Sequence, residues 1–107
     1  MIATGEYPQF ESNAMIELPV EQILTIARCH GATEVRVFGS RARGDARPDS
    51  DLDLLVAVKP GTSLWDLIGI SQDLEDLLRI KVEVVTEGDL HPYLRDRILQ
   101  EARPLVA

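Results

Sequence analysis

The spacing of apolar positions changes several times along this chain, and each change marks a new element. Val20, Ile23, Leu24 and Ala27 recur at helical spacing behind Pro19, which suits a first helical turn, and Gly31 provides a stop. Thr33 to Phe38 reads as a short strand, Ser40 to Arg43 as the start of a short helix, and Asp45 to Ser50 as a polar loop stiffened by Pro48. Asp51 to Val58 is a second strand. It begins with alternating carboxylates and leucine, then continues Leu54-Leu55-Val56-Ala57-Val58, so its far part is expected to be central in a sheet covered on both faces. After the turn Lys59-Pro60-Gly61, Thr62 or Ser63 can cap a long helix whose apolar stripe is Leu64, Leu67, Ile68, Leu74, Leu77 and Leu78. Asp66 in its first turn complements the helix dipole. Ile80 to Thr86 follows as a third strand, Leu90 to Ala102 as a helix with Leu94, Ile98 and Leu99 inward, and residues 104–107 as a short closing strand.

Strands separated by helices imply an α/β (α+β) sandwich, with a mixed sheet of three or four strands flanked by helices. The length fits one domain, and residues 15–107 carry all of this periodicity. Residues 1–14 lack it and read as a cloning scar left by a tag or as a disordered extension.

Composition narrows the function classes. The net charge of −7 argues against a protein that coats nucleic acid, although Arg36, Arg41, Arg43 and Arg47 concentrate positive charge around one turn. Cys29 is the single cysteine, so an internal disulfide or a cysteine-built zinc site is excluded, and a reducing cytoplasm is the expected compartment. It is expected to be a core residue. No run approaches the roughly 18 apolar residues of a membrane span.

The candidate chemistry is concentrated between Val35 and Val56. Asp51 and Asp53 are two apart on a strand, so both side chains leave the same face and can converge on one hard cation, while Leu52 and Leu54 leave the other. Gly39-Ser40 follows a strand, where a tight turn can aim backbone N–H groups and a hydroxyl at phosphate oxygens. Glu83 lies within Lys81-Val-Glu-Val-Val85, where an unpaired buried carboxylate is costly. A structural pair with Lys81 would compensate it, and so would a cation shared with the two aspartates.

Gly39-Ser40, ten intervening residues and then Asp51-Leu52-Asp53, extended by Arg41-Ala42-Arg43-Gly44 and by Ser50 and Leu54, resemble the signature of the minimal nucleotidyltransferases of the polymerase-beta-like superfamily. From Leu18 to Val106 the order of elements also resembles the antitoxin members that neutralise HEPN-type toxins. The resemblance implies Asp51, Asp53 and Glu83 as catalytic and metal-ligating residues for one or two Mg²⁺ ions. It implies Gly39, Ser40, Arg41 and Arg43 as the nucleotide-binding set. The implied reaction is transfer of AMP from ATP to a hydroxyl, tyrosine above all, of a HEPN ribonuclease toxin held in a hetero-oligomer. Glu83 stands where the family usually has aspartate, and the extra methylene displaces the base position by roughly 1 Å. A module that silences its partner by contact alone is the competing reading. Transfer to a small molecule or an RNA end fits less well, because the chain has no second lobe and no broad basic surface.

His30 and His91 have no metal-ligand spacing to each other and are assigned surface or capping roles. Trp65 is expected to be a partly buried anchor, with a partner interface as the alternative. Tyr93 and Leu94 share that ambiguity.

Overall fold

A computed structural model describes residues 18–106. The assignment of residues 1–14 to a tag or extension lies outside the described residues. Among the described residues four helices and four strands follow the order α1 (Val20–Cys29), β1 (Ala32–Phe38), α2 (Ser40–Arg43), β2 (Leu52–Val58), α3 (Leu64–Leu78), β3 (Val82–Val85), α4 (Pro92–Glu101) and β4 (Arg103–Pro104), with a 3₁₀ turn at Glu87–Asp89. The sheet order is β3-β2-β1-β4. β1 runs antiparallel to both β2 and β4, whereas β2 and β3 are parallel and joined by the crossover helix α3. This is the mixed α+β sandwich expected.

One face of the sheet makes the core. Val35 and Val37 of β1, Leu52, Leu54 and Val56 of β2 and Val82 of β3 pack with Ile23, Leu24 and Ala27 of α1, Ile70 and Leu74 of α3, and Leu105. Residues of opposite parity, Arg36, Phe38, Asp53, Leu55 and Glu83, face the other way, as the pleat demands. Leu55 is fully buried on that second face, near which Arg36 donates to Glu87 of the 3₁₀ turn at 2.7 Å. The hydrophobic core is thus one-sided, and Asp53 and Glu83 occupy the more open side.

Ser63 caps α3 with a reciprocal pair: Ser63 Oγ accepts from Asp66 N–H, and the Asp66 carboxylate accepts from Ser63 N–H at 2.9 Å. His91 Nδ1 accepts from Tyr93 N–H at the start of α4, the capping role expected of it. His30 ends α1 and bonds Asp73 of α3 at 2.9 Å. Gly69 permits that contact, since a Cβ there would press on the imidazole ring.

Several expectations are corrected. The buried stripe of α3 runs through Ile70 and Leu74 with Leu67 and Leu78 beside it, and Leu64 and Leu77 are exposed. Leu64 opens the helix before any neighbouring element can cover it. Trp65 is 78% exposed and is no buried anchor, and Leu94 of α4 is half exposed. Cys29 is exposed too, because it falls off the α1 face formed by Ile23, Leu24 and Ala27. β3 is an edge strand, so Glu83 is exposed and the argument from its burial does not apply. α3 blunts that edge: Ser71 Oγ donates to the Val82 carbonyl at 2.6 Å, and Glu75 accepts from Val82 N–H at 3.1 Å.

Candidate active site

Sheet register brings the chemistry together. Phe38, the last residue of β1, is opposite Asp53, and Asp53 is in turn opposite Glu83 of β3. Gly39 then turns the chain away from the ladder with φ 76° and ψ −155°, a left-handed region open to glycine. Its bare Cα lies against the Asp53 carboxylate, where a Cβ would collide. Ser40 begins the single turn of α2, and Gly44 ends it in the αL conformation. The spacing between Gly39-Ser40 and Asp53 therefore describes a direct contact between a glycine turn and a carboxylate.

The carboxylates repel one another. Asp53 is half-buried, and its carboxyl is pushed up to about 6, first by burial and then by the neighbouring charge of Glu83, with Asp51 and Glu101 adding to it. Asp51 precedes β2 and is exposed, acting on Asp53 through charge. Lys81 is exposed and forms no ion pair with Glu83 among the described residues, which removes the purely structural account of that glutamate. Such a set suits a hard cation. Among the described residues, however, no group of three or more carboxylate, histidine or cysteine side chains is closed enough to hold a metal ion. Asp51 and Asp53 still fit Mg²⁺, which commonly takes one or two protein carboxylates and completes its shell with phosphates and water.

The two arginines of the nucleotide-binding set are engaged within the protein. Arg41 is buried, and its guanidinium donates to the carbonyls of Arg47, Pro48 and Ser50 at 3.4, 3.1 and 2.8 Å. It folds the loop that delivers Asp51. Ser50 Oγ, accepting from Arg47 N–H at 2.7 Å, tightens the same loop. Arg43 is more open and pairs with Asp45 and Glu101, which hold its guanidinium above the usual range.

Sequence reasoning missed Glu101. This last residue of α4 accepts from Gly39 N–H at 2.8 Å and pairs with Arg43 at 3.2 Å. The two partners are 62 residues apart for the first contact and 58 for the second, so no local pattern announces them.

The sequence matches the nucleotidyltransferase domain family over residues 20–105. A candidate protein adenylyltransferase of Methanocaldococcus jannaschii is 42% identical over 81 residues, covering 76% of this chain and 87% of that protein. The protein adenylyltransferase MntA of Thermococcus cleftensis is 35% identical over 95 residues, covering 81% and 96%. A solved structure described as a candidate minimal nucleotidyltransferase superposes with a TM-score of 0.71 at 51% identity, over 80% of this chain and 88% of that one. The fold also matches a Shewanella oneidensis complex of a tri-AMPylated HEPN toxin with its MNT antitoxin, at a TM-score of 0.62 and 17% identity over 82% of this chain and 69% of that one. The chain, whose turn delivers Gly39 onto Asp53, belongs to the nucleotidyltransferase domain family as one of its minimal members.

Proposed function

We propose that this protein is an antitoxin that transfers AMP from ATP, with Mg²⁺, to a tyrosine hydroxyl of a HEPN-type toxin and so neutralises it. The observation that carries the reading is the pairing of an uncompensated carboxylate cluster with a glycine-serine turn in direct contact with it. One half of that pair attracts a cation and the other suits phosphate. The relatives named as protein adenylyltransferases support AMP transfer to protein. The fold shared with toxin–antitoxin complexes supports the choice of partner.

In this reading the Gly39-Ser40 turn holds the triphosphate by backbone N–H and hydroxyl donors, and Arg41 keeps the following loop in the shape that places Asp51 beside Asp53. Asp51 and Asp53 would hold Mg²⁺, with Glu83 available to a second ion, and the metal would supply neutralisation of the phosphates and acidification of the acceptor hydroxyl. The acceptor oxygen forms its bond to the α-phosphorus as the bond to the bridging oxygen breaks. Pyrophosphate departs, and the hydroxyl proton goes to Glu83, whose exposure on an edge strand leaves it open to an incoming protein substrate. Arg43 stands at the rim, where it can exchange a carboxylate partner for leaving pyrophosphate.

The test is to incubate the protein with MgCl₂, ATP and the purified toxin and weigh the intact toxin. Adenylylation adds one AMP less water per site. A toxin of unchanged mass that is nevertheless silenced refutes the reading and supports neutralisation by contact, which the engagement of both arginines within the protein also favours. Replacing Asp51 and Asp53 together by asparagine separates the two: protection is lost in the first case and kept in the second.

A further inference from the structure

Gly39 raises a structural problem that Glu101 answers. The β1 ladder ends at Phe38, and Gly39 N–H, at the mouth of α2, has no intrahelical acceptor. A single helical turn does not hold itself in place, since one turn fixes several dihedrals for very few hydrogen bonds. The peptide that orients Ser40 therefore needs an external fastening.

We propose that Glu101 is a positioning residue, clamping both ends of the Gly39–Arg43 turn through one carboxylate so that the turn is set for phosphate before nucleotide arrives. Oε1 accepts from Gly39 N–H at 2.8 Å, and the carboxylate meets Arg43 Nη1 at 3.2 and 3.5 Å, so the first and last groups of the turn share one acceptor. The Glu101 side chain is only 18% exposed, which strengthens both bonds relative to open solvent. Its own position is fixed at short range. Two residues later Arg103 enters β4 and pairs with Val37, itself two residues before Gly39. The clamp therefore spans adjacent strands and not the breadth of the molecule. It meets the same residue as Asp53: Glu101 accepts the Gly39 N–H, and the Asp53 carboxylate lies against the bare Gly39 Cα.

The proposal rests on the nucleotidyltransfer reading, but one of its readouts does not depend on that reading. Glu101→Gln keeps an oxygen acceptor for Gly39 N–H, and Glu101→Ala removes it. Hydrogen exchange of the Gly39 amide, followed by NMR without nucleotide, is expected to accelerate in Glu101→Ala and to stay slow in Glu101→Gln. Affinity for a non-hydrolysable ATP analogue in MgCl₂ is expected to fall about tenfold in Glu101→Ala, the scale of one lost charged hydrogen bond, and to be largely restored by Glu101→Gln.

Unchanged Gly39 exchange in Glu101→Ala overturns the clamp. So does tighter nucleotide binding, which would mean that the carboxylate competes with phosphate. A loss of affinity equal in both variants and following only their melting temperatures also overturns it. If Glu101→Ala does not fold, Glu101→Gln decides: a protected Gly39 amide supports the clamp, and an exchanging one ends it. If the unsubstituted protein binds no nucleotide, the proposed function fails, while the exchange result still decides the clamp.

Discussion

Asp53 holds an expensive charge. Its carboxyl titrates at about 6 in the folded protein against 3.8 unperturbed, because burial and then Glu83 disfavour ionisation. Between these values the native state binds a proton more tightly than the unfolded chain. Stability therefore falls as pH rises through the window and stays at the lower level above it. Asp53→Asn removes that cost, and at neutral pH without metal it is expected to be more stable by about 1 kcal/mol, after allowing for solvent screening at a half-buried site. Thermal melts at neutral pH should show the difference, and melts below pH 3.8 should not, since Asp53 is then protonated in both states. A variant less stable than the unsubstituted protein at neutral pH would contradict the strain assigned to this carboxylate. Gly39 is the complementary case. Gly39→Ala forces a Cβ into the Asp53 carboxylate at a positive φ and is expected to cost about 2 kcal/mol or more and to abolish transfer. Gly44→Ala meets only the backbone penalty of about 1 kcal/mol, because nothing lies within 4 Å of its Cβ position. Urea denaturation of the two variants measures the gap.

At the scale of elements, Arg41 joins α2 to the loop that precedes β2. Arg41→Lys keeps the charge, but its side chain is shorter and ends in a tetrahedral ammonium, so it brings no donor to the position from which Arg41 Nη2 reaches all three carbonyls. Transfer is expected to fall about 100-fold, the order attached to a small misplacement of a reacting group, with the sheet intact by circular dichroism. Full activity in that variant would show that the loop holds its shape without the arginine. Arg41 also marks how far the sequence could be read. Gly39 and Asp53 belong to a strand–turn–strand unit, so their spacing already encodes that they meet, and the parity of β1 and β2 follows from alternation. The direction of the Arg41 side chain does not follow, because a guanidinium beside a glycine turn suits phosphate and loop carbonyls equally well. Glu83 misled for another reason. Its apolar neighbours resemble a central strand, but strand order is a tertiary property, and β3 turned out to be an edge. Glu101 was invisible, being an ordinary glutamate in the last turn of a polar helix until the pairing of β4 with β1 carries it to Gly39. The stripe of α3 was legible in period but not in extent, since Leu64 and Trp65 repeat the apolar pattern beyond the point where the sheet covers it.

For the molecule as a whole, the net charge of −7 and the cluster of Asp51, Asp53 and Glu83 at one end of the sheet act in the same direction. Self-repulsion in a compact acidic fold is relieved weakly by any salt and strongly by a cation seated where the field is concentrated. A ligand that binds only the folded state stabilises it by mass action, by about 2.7 kcal/mol at 100 times its dissociation constant. MgCl₂ is therefore expected to raise the melting temperature well beyond NaCl of equal ionic strength, with a dependence that saturates. The Asp51→Asn, Asp53→Asn double variant should start from a higher melting temperature without metal and lose the magnesium-specific part of the rise, leaving only the salt response. The two curves then converge or cross as magnesium increases, and they do so further than in NaCl of equal ionic strength, where screening alone narrows the gap because the variant has lost repelling carboxylates. Identical responses of the two proteins to MgCl₂ would place the cation elsewhere on the acidic surface and remove the link between the carboxylate cluster and metal-assisted nucleotidyl transfer.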